Sequence, residues 1–341
     1  MPPMRAALIL LLLCTAARAA QVGRFIATEG RVYIKRGNSF RWKRAQKGSS
    51  LFEDSVVRTG RRSRAALVLK DGTRVTLGDA TVVEVKRFLL GTKRRSIHLF
   101  RFMGKLKCTV TPFSGTSEVQ VHTQGAVAGV RGTEFLIYHK PPVNVIYDRL
   151  DTVEASSPKH GSVVLHQNQF TENTRGGRFI TPERLPEGLK PAIEAMSRYT
   201  KVNVPVNWVE SGRLPMILAR WNINYGHYLL DRGRYRDAVE VFRIAHDLTQ
   251  NASIRSESLL NQGVVLSRFL KDYRGAEQLF RQVLYLYPDT KSAEAALYQL
   301  GLLLMQTGRR KEAVKVLNRY LILYPKGRFS ENAKAILERA R

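Results

Sequence analysis

The chain has 341 residues, 44% of them hydrophobic, with 56 Lys plus Arg against 28 Asp plus Glu. That is enough chain for two ordinary domains, and the aromatic and β-branched residues running through most of it exclude global disorder. A formal net charge of +28 attracts polyanions but does not specify a fold.

Residues 1–19 read as a secretory signal. Arg5 supplies the positive start, Ala6 to Leu13 the apolar stretch, and Ala17-Arg18-Ala19 an A-x-A cleavage site. Cys14 follows Leu13 rather than the small residue that lipid attachment requires, so no lipid anchor is expected. No later segment has the ~20 continuous apolar residues of a membrane helix. The expected location is the periplasm or another extracytoplasmic space. After cleavage only Cys108 remains, too few for an internal disulfide or a Cys-rich zinc site, and it reads as a small buried hydrophobe in a strand.

Residues 22–180 carry a strand pattern. Val32 and Ile34 alternate with Tyr33 and Lys35, and Leu67 and Leu69 with Val68 and Lys70; Val119 and Val121 alternate with Gln120 and His122. Asp71-Gly72 lies between two such runs, which predicts a hairpin with a type I′ turn. Breaks at Gly37-Asn38, Gly60, Gly78, Gly91, Gly104 and Gly115 separate further short strands. This spacing predicts an all-β domain, either a sandwich or a short solenoid. Three basic clusters punctuate it: Arg41, Lys43 and Arg44; Arg61, Arg62 and Arg64; and Lys93, Arg94 and Arg95. They read either as one anion-holding face or as solvated turns that protect sheet edges.

Residues 181–215 are punctuated by Pro182, Pro186, Pro191, Pro205 and Pro215, with one helical candidate at Ala192 to Tyr199, and read as a linker or strap. From 216 to 341 the period is helical and the sequence repeats. Gly226 is followed twelve residues on by Ala238 and then by Phe242; Gly301 is followed twelve on by Ala313 and then by Leu317. The middle copy, with Gly263, Ala276 and Phe280, is one residue longer at its turn. Tyr287-Pro288 and Tyr324-Pro325 close the second and third copies, and Asn332 to Arg341 is expected to cap the stack. The three copies resemble the tetratricopeptide repeat, which implies an all-α array that binds protein. By register, the concave face formed by the first helix of each repeat takes Arg220, Ile223 and His227, then Glu257, Leu260 and Val264, then Ala295, Tyr298 and Leu302. Core packing is the competing reading for its apolar members.

Phosphate-loop readings of "QGAVAGVRGTEF" fail, because no lysine follows the glycines and Phe135 to Tyr138 reads as a strand rather than a helix. "HTQGAVAGVRGTEFLIY" instead resembles the signature of the FecR family, named after the ferric-citrate signal regulator. "EGRVYIKRG", "VVRTGRRSRAALVLKDGTRVTLG", "LFRFMGKLK" and "GSVVLHQNQFTENTRGGRF" match other parts of the family in order, so that the likeness spans about Val22 to Phe179. The resemblance implies an all-β, non-enzymatic extracytoplasmic domain tied to sensing or envelope attachment. The anti-sigma segment and membrane helix of the founding members are not read here, so direct sigma-factor control is not expected. Gly129 and Gly132 read as a tight turn after which Thr133 bonds locally and Arg131 pairs with Glu134. Alternatively Gly129, Val130, Arg131, Gly132, Thr133 and Glu134 frame an anion-binding loop.

Enzyme chemistry is not expected. His98, His122, His139, His160, His166, His227 and His246 form no H-x-x-x-H pair, so no metal or cofactor is predicted. Ser156-Ser157-Pro158-Lys159 has S-x-x-K spacing, but Pro158 argues against the helix start that this chemistry needs. The reading that follows is an exported envelope scaffold. Its repeats bind a protein, and its basic β domain meets an anionic glycan, lipid headgroup or lipopolysaccharide; nucleic acid is not an expected partner. A ligand-sensing or wall-attachment module is the alternative.

Overall fold

The computed structural model describes residues 20–37, 39–130, 134–185, 187–191 and 214–339. The expected signal segment, the helical candidate at Ala192 to Tyr199, and Arg131, Gly132 and Thr133 lie outside the described residues.

The β half opens with β1 (Gln21–Glu29), β2 (Val32–Arg36), β3 (Lys43–Arg44), β4 (Ser50–Phe52) and β5 (Ser55–Thr59). The hairpin β6 (Arg64–Leu69) and β7 (Arg74–Leu77) leads to β8 (Val82–Leu90) and the long β9 (Arg94–Thr109). Then come β10 (Thr116–Thr123), β11 (Ala126–Val130), β12 (Glu134–Lys140) and β13 (Val143–Asp148). The last strands are β14 (Thr152–Ser157), β15 (Gly161–His166), β16 (Gln169–Thr174) and β17 (Glu183–Arg184). β17 therefore builds the start of the expected linker into a sheet.

These strands make two layers. One runs β4-β1-β6-β7-β9-β12-β13-β16-β17, with every pair antiparallel. The other runs β3-β2-β5-β8-β9-β10-β11-β14-β15, antiparallel except for the parallel β9/β10 pair. β9 belongs to both. Its first part pairs with β8 as far as Met103, and its last part pairs with β12 from Gly104 on. Gly104 sits at the crossing with φ of 111°, and a Cβ there would fall 2.6 Å from the Thr81 Cα. It is a bend within one strand, not the break between strands that the sequence suggested. Val32, Val57, Ile97 and Leu99 of one layer close on Phe25, Leu67, Leu106 and Phe135 of the other.

The Asp71-Gly72 hairpin forms, but not with the expected turn. A type I′ turn needs positive φ at both central residues, whereas here only Gly72 has it, at 88°. Asp71 instead turns its carboxylate onto Thr73, accepting from the backbone N at 3.1 Å and from Oγ1 at 2.6 Å.

The helical half is α1 (Leu214–Asp231), α2 (Tyr235–Leu248), α3 (Ala252–Val265), α4 (Tyr273–Leu286), α5 (Lys291–Gln306), α6 (Arg310–Leu323) and α7 (Ser330–Arg339). Each repeat pairs its two helices through one small residue. A Cβ on Gly226 would lie 2.4 Å from the Phe242 ring, on Gly263 2.6 Å from Phe280, and on Gly301 2.5 Å from Leu317. The extra residue of the middle copy is absorbed by a π-helical turn, Leu266–Leu270, which widens the helix end by one residue. Lys271 then takes the left-handed conformation (φ 57°) that glycine takes in the other copies at Gly233 and Gly308. At the far end α7 closes the stack, with Phe329 stacked on Tyr298 at 4.5 Å.

The two halves share a core. In β12, Phe135 and Ile137 point into the β sandwich, while Leu136 and Tyr138 point outward; in β13, Ile146 points in and Val143, Val145 and Tyr147 point out. The outward set packs with Phe170 and Ile180 against Leu218, Ile223, Val241 and Ile244 of the first repeat. Polar contacts ring this patch. Asp247 on α2 takes both Arg175 Nε (2.9 Å) and Nη2 (2.8 Å), and accepts from Thr174 Oγ1 at 2.7 Å. Arg178 pairs with Asp237 at 2.7 Å, Arg234 pairs with Glu183, and Lys140 donates to the Leu248 carbonyl. Within the patch Glu172 is fully buried facing Asn222, and burial pushes its carboxyl up to about 8 against the pull of that amide.

Two outcomes follow from this packing. Gly263→Val drives two methyls toward the buried Phe280 ring, and lowers stability by about 1–3 kcal/mol in denaturant titration. Glu172 is neutral in the folded chain up to about pH 8, whereas unfolded it ionises near 4.5. Its stabilising contribution is therefore complete below the unfolded value and is lost as pH rises towards 8. Thermal melts across that window should show Glu172→Gln to be flatter than the parent chain.

Candidate functional site

The glycine-rich stretch does not make a loop over most of its length. Gly129 lies inside β11, extended between Gln120 on one side and Glu154 on the other, and a Cβ there would meet nothing closer than the Glu154 carbonyl at 3.9 Å. It is therefore a strand residue rather than part of a tight turn, and Val130 beside it is buried. Glu134 opens β12 and reaches across to β9. Its carboxylate meets Arg149 Nη1 at 2.5 Å, Thr109 Oγ1 at 3.1 Å and Lys107 Nζ at 3.6 Å. Burial alone would push the Glu134 carboxyl up, but Lys107, Arg149 and Thr109 together hold it below the ordinary range.

Two members of the three basic clusters, Arg95 and Arg64, are not on the surface. Arg95 is only 1% exposed: strand alternation points it inward, where it donates to Asp71 Oδ2 (2.9 Å), the Thr111 carbonyl (2.7 Å) and Ser117 Oγ (2.7 Å). It is the buried partner of the hairpin aspartate, and the guanidinium also lies over the Phe113 ring. Arg64 is buried too, opposite Glu29 in β1. Neither belongs to an exposed patch. Arg61, Arg62 and Lys93 are exposed at turns, Arg94 is exposed at the start of β9, and Arg41, Lys43 and Arg44 are exposed on and beside β3.

On the array, polar side chains of the first helices α1 and α3 meet across repeats. Arg220 Nη1 meets Glu257 Oε2 at 2.6 Å, and the Asn261 amide lies 3.4 Å from His227 Nε2. Arg220 and His227 are exposed and Glu257 is half-buried, with Asn224 exposed between the first two. Ile223 is instead part of the core shared with the β half, and Tyr298 is buried against Tyr320 and Phe329. Leu260 and Val264 pack partly against the second-repeat core, Leu302 partly against the cap, and Ala295 is half-buried.

A family model described as FecR protein matches residues 55–146, and one described as tetratricopeptide repeat matches residues 270–340. The chain carries a FecR domain followed by a tetratricopeptide-repeat array. Among solved structures, a protein described as an anti-sigma factor from Parabacteroides distasonis is 19% identical over 41% of this chain, with a TM-score of 0.34. The match covers 64% of that protein, under two thirds of its length. The tetratricopeptide domain of Arabidopsis OM64 is 19% identical over 37% of this chain and 99% of that one, with a TM-score of 0.32. A MamA double mutant is 26% identical over 36% of this chain and 63% of that one, with a TM-score of 0.31.

FecR domains and tetratricopeptide arrays are non-catalytic folds, and the groups that raised enzyme readings have structural roles here. Cys108 lies buried in β9, where burial and Asp71 push its thiol far above the ordinary range, away from the reactive thiolate. Ser156 and Ser157 end β14 rather than open a helix, and Ser157 Oγ donates to the Gly176 carbonyl at 2.8 Å. His139 is buried and hydrogen-bonded to the Val143 carbonyl. Among the described residues no group of three or more His, Cys, Asp or Glu is arranged to hold a metal. Among them, too, no helix is long and apolar enough to cross a membrane.

Reading by residue type missed the contact between FecR domain and array. Its signal is the lack of alternation in "EFLIYHK" and "VNVIYD", since a strand with apolar residues on both sides is one covered on both faces. For the Arg95–Asp71 pair, whose side chains are 1% and 2% exposed, Arg95→Ala leaves a buried carboxylate without its cation. The expected loss is about 3–5 kcal/mol in chemical denaturation. An equal loss for Arg94→Ala, an exposed neighbour, would overturn this assignment.

Proposed function

We propose that this protein is an exported, non-enzymatic adaptor of the bacterial cell envelope. Its array holds a protein partner on the face of its first helices, and its FecR domain holds an anionic envelope component. The observation that carries this reading is the core shared by β12, β13 and the first repeat. A repeat stack normally needs a polar cap at each end, and here the FecR domain takes that place at one end. An array fixed in this way presents its open face in one orientation to whatever the FecR domain is attached to. The exposed cations of the β half supply the attraction to a polyanion, and the signal-like residues 1–19 support export.

The test is affinity capture from a native envelope extract with the full chain as bait, because splitting it would uncover the outer side of β12 and β13. A discrete protein should stay on the bait through a high-salt wash, and the exposed triple change Arg220→Ala, Asn224→Ala and His227→Ala should reduce its recovery by about tenfold. Full retention by the triple variant, or no protein on the parent chain, would sink the adaptor reading.

A further inference from the structure

The edge of the FecR domain farthest in strand order from the array carries a cleft of about 280 Å³ between β2, β3 and β4. Its walls are Lys35, Arg36, Arg41 and Lys43, with Ile34 and Phe52 contributing apolar surface. Aromatic rings seat two of these cations, Lys35 and Arg36. The Arg36 guanidinium lies 3.9 Å over the Phe52 ring, and Trp42 is held between Lys35 at 5.4 Å and Arg58 at 4.7 Å. Among the described residues no carboxylate lies within ion-pair distance of Lys35, Arg36, Arg41, Lys43 or Arg58. The two acids that follow Phe52 are engaged elsewhere: Asp54 meets Lys86 Nζ at 2.7 Å, and Glu53 accepts from the Phe88 backbone N at 3.0 Å. Beside the cleft Phe40 is 97% exposed.

We propose that this cleft is the anion site of the FecR domain and takes one charged sugar unit of an acidic glycan, carrying phosphate or carboxylate. This rests on the adaptor reading above and deepens it. Four clustered cations without internal counter-ions meet the anionic group, and Arg36 is pre-oriented for two-pronged recognition by its seat on Phe52. A pocket near the lower end of the range for small ligands, about 300 Å³, fits one unit rather than a folded partner. Open ends at a sheet edge let a polymer run on past it, and the exposed Phe40 ring is a plate for the apolar face of a sugar. A membrane surface would need a broader apolar rim than one phenylalanine supplies.

The full chain is titrated, following tryptophan fluorescence, with hexagalacturonate, glucose 6-phosphate, inorganic phosphate, neutral maltohexaose and phosphatidylglycerol vesicles. Binding of either or both anionic sugars, and not of maltohexaose, is expected. Arg36→Gln, Arg41→Gln and Lys43→Gln together should weaken it by about tenfold or more. The charge-matched control on α6, Lys311→Gln, Lys315→Gln and Arg319→Gln, should leave it within about twofold. Phe40→Ala should weaken sugar binding but not inorganic phosphate binding. Equal losses in the two triple variants would overturn the cleft while leaving a diffuse anionic attraction in place. Tighter binding of inorganic phosphate than of either sugar, or binding of vesicles alone, would overturn the glycan assignment. If no anionic probe binds, the cleft and the anionic half of the adaptor reading fall together, and protein capture by the array still stands as a separate result.

Discussion

The outer face of β12 and β13 is apolar and cannot be left in water. Leu136, Tyr138, Val143, Val145 and Tyr147 are all nearly inaccessible, and helices of the first repeat supply the cover. From this one requirement the rest of the arrangement follows. The sandwich is complete only when α1 and α2 lie on it, and the array begins where it does because that is where the cover is needed. Polar contacts at the rim, Arg175 with Asp247 above all, set the angle of a contact whose driving force is non-directional.

The three repeats show how one position changes role with its surroundings. Leu248, Leu286 and Leu323 occupy the same place at the end of the second helix in each copy. Leu248 is completely buried against the FecR domain, while Leu286 and Leu323 are 47% and 53% exposed. Identical chemistry therefore serves as core in one repeat and as surface in the next. The glycine opposite Phe242, Phe280 or Leu317 does not vary in this way, because it answers to a contact inside the repeat rather than to a neighbour.

Much of this was legible in the sequence. The change of period from two to helical, the Gly and Ala spacing of the repeats, the capping helix and the strand alternation around Val32, Leu67 and Val119 all follow from local pattern. What was not legible depended on distant partners. Arg95 looked like one more surface cation because its aspartate lies 24 residues away, across a hairpin. Gly104 looked like a break because nothing local says that a strand can cross between two layers. The extra residue in the middle repeat was visible, but its accommodation as a π-helical turn was not. Of the candidate sites, the open face of the array was partly readable from repeat register. Ile223 and Tyr298 left it because the FecR domain and the cap cover those places. The cleft at β2 and β3 was visible only as charge, since its shape depends on how Phe52 and Trp42 seat the neighbouring cations.

The FecR domain covers the start of the helical stack, and among the described residues α7 packs at the other side of it. A repeat inserted next to α1 would have to reproduce the surface that fits β12 and β13, whereas one inserted ahead of α7 would have to match only its neighbouring repeats. The reach of this molecule is thus adjustable at its distal end and invariant at its root.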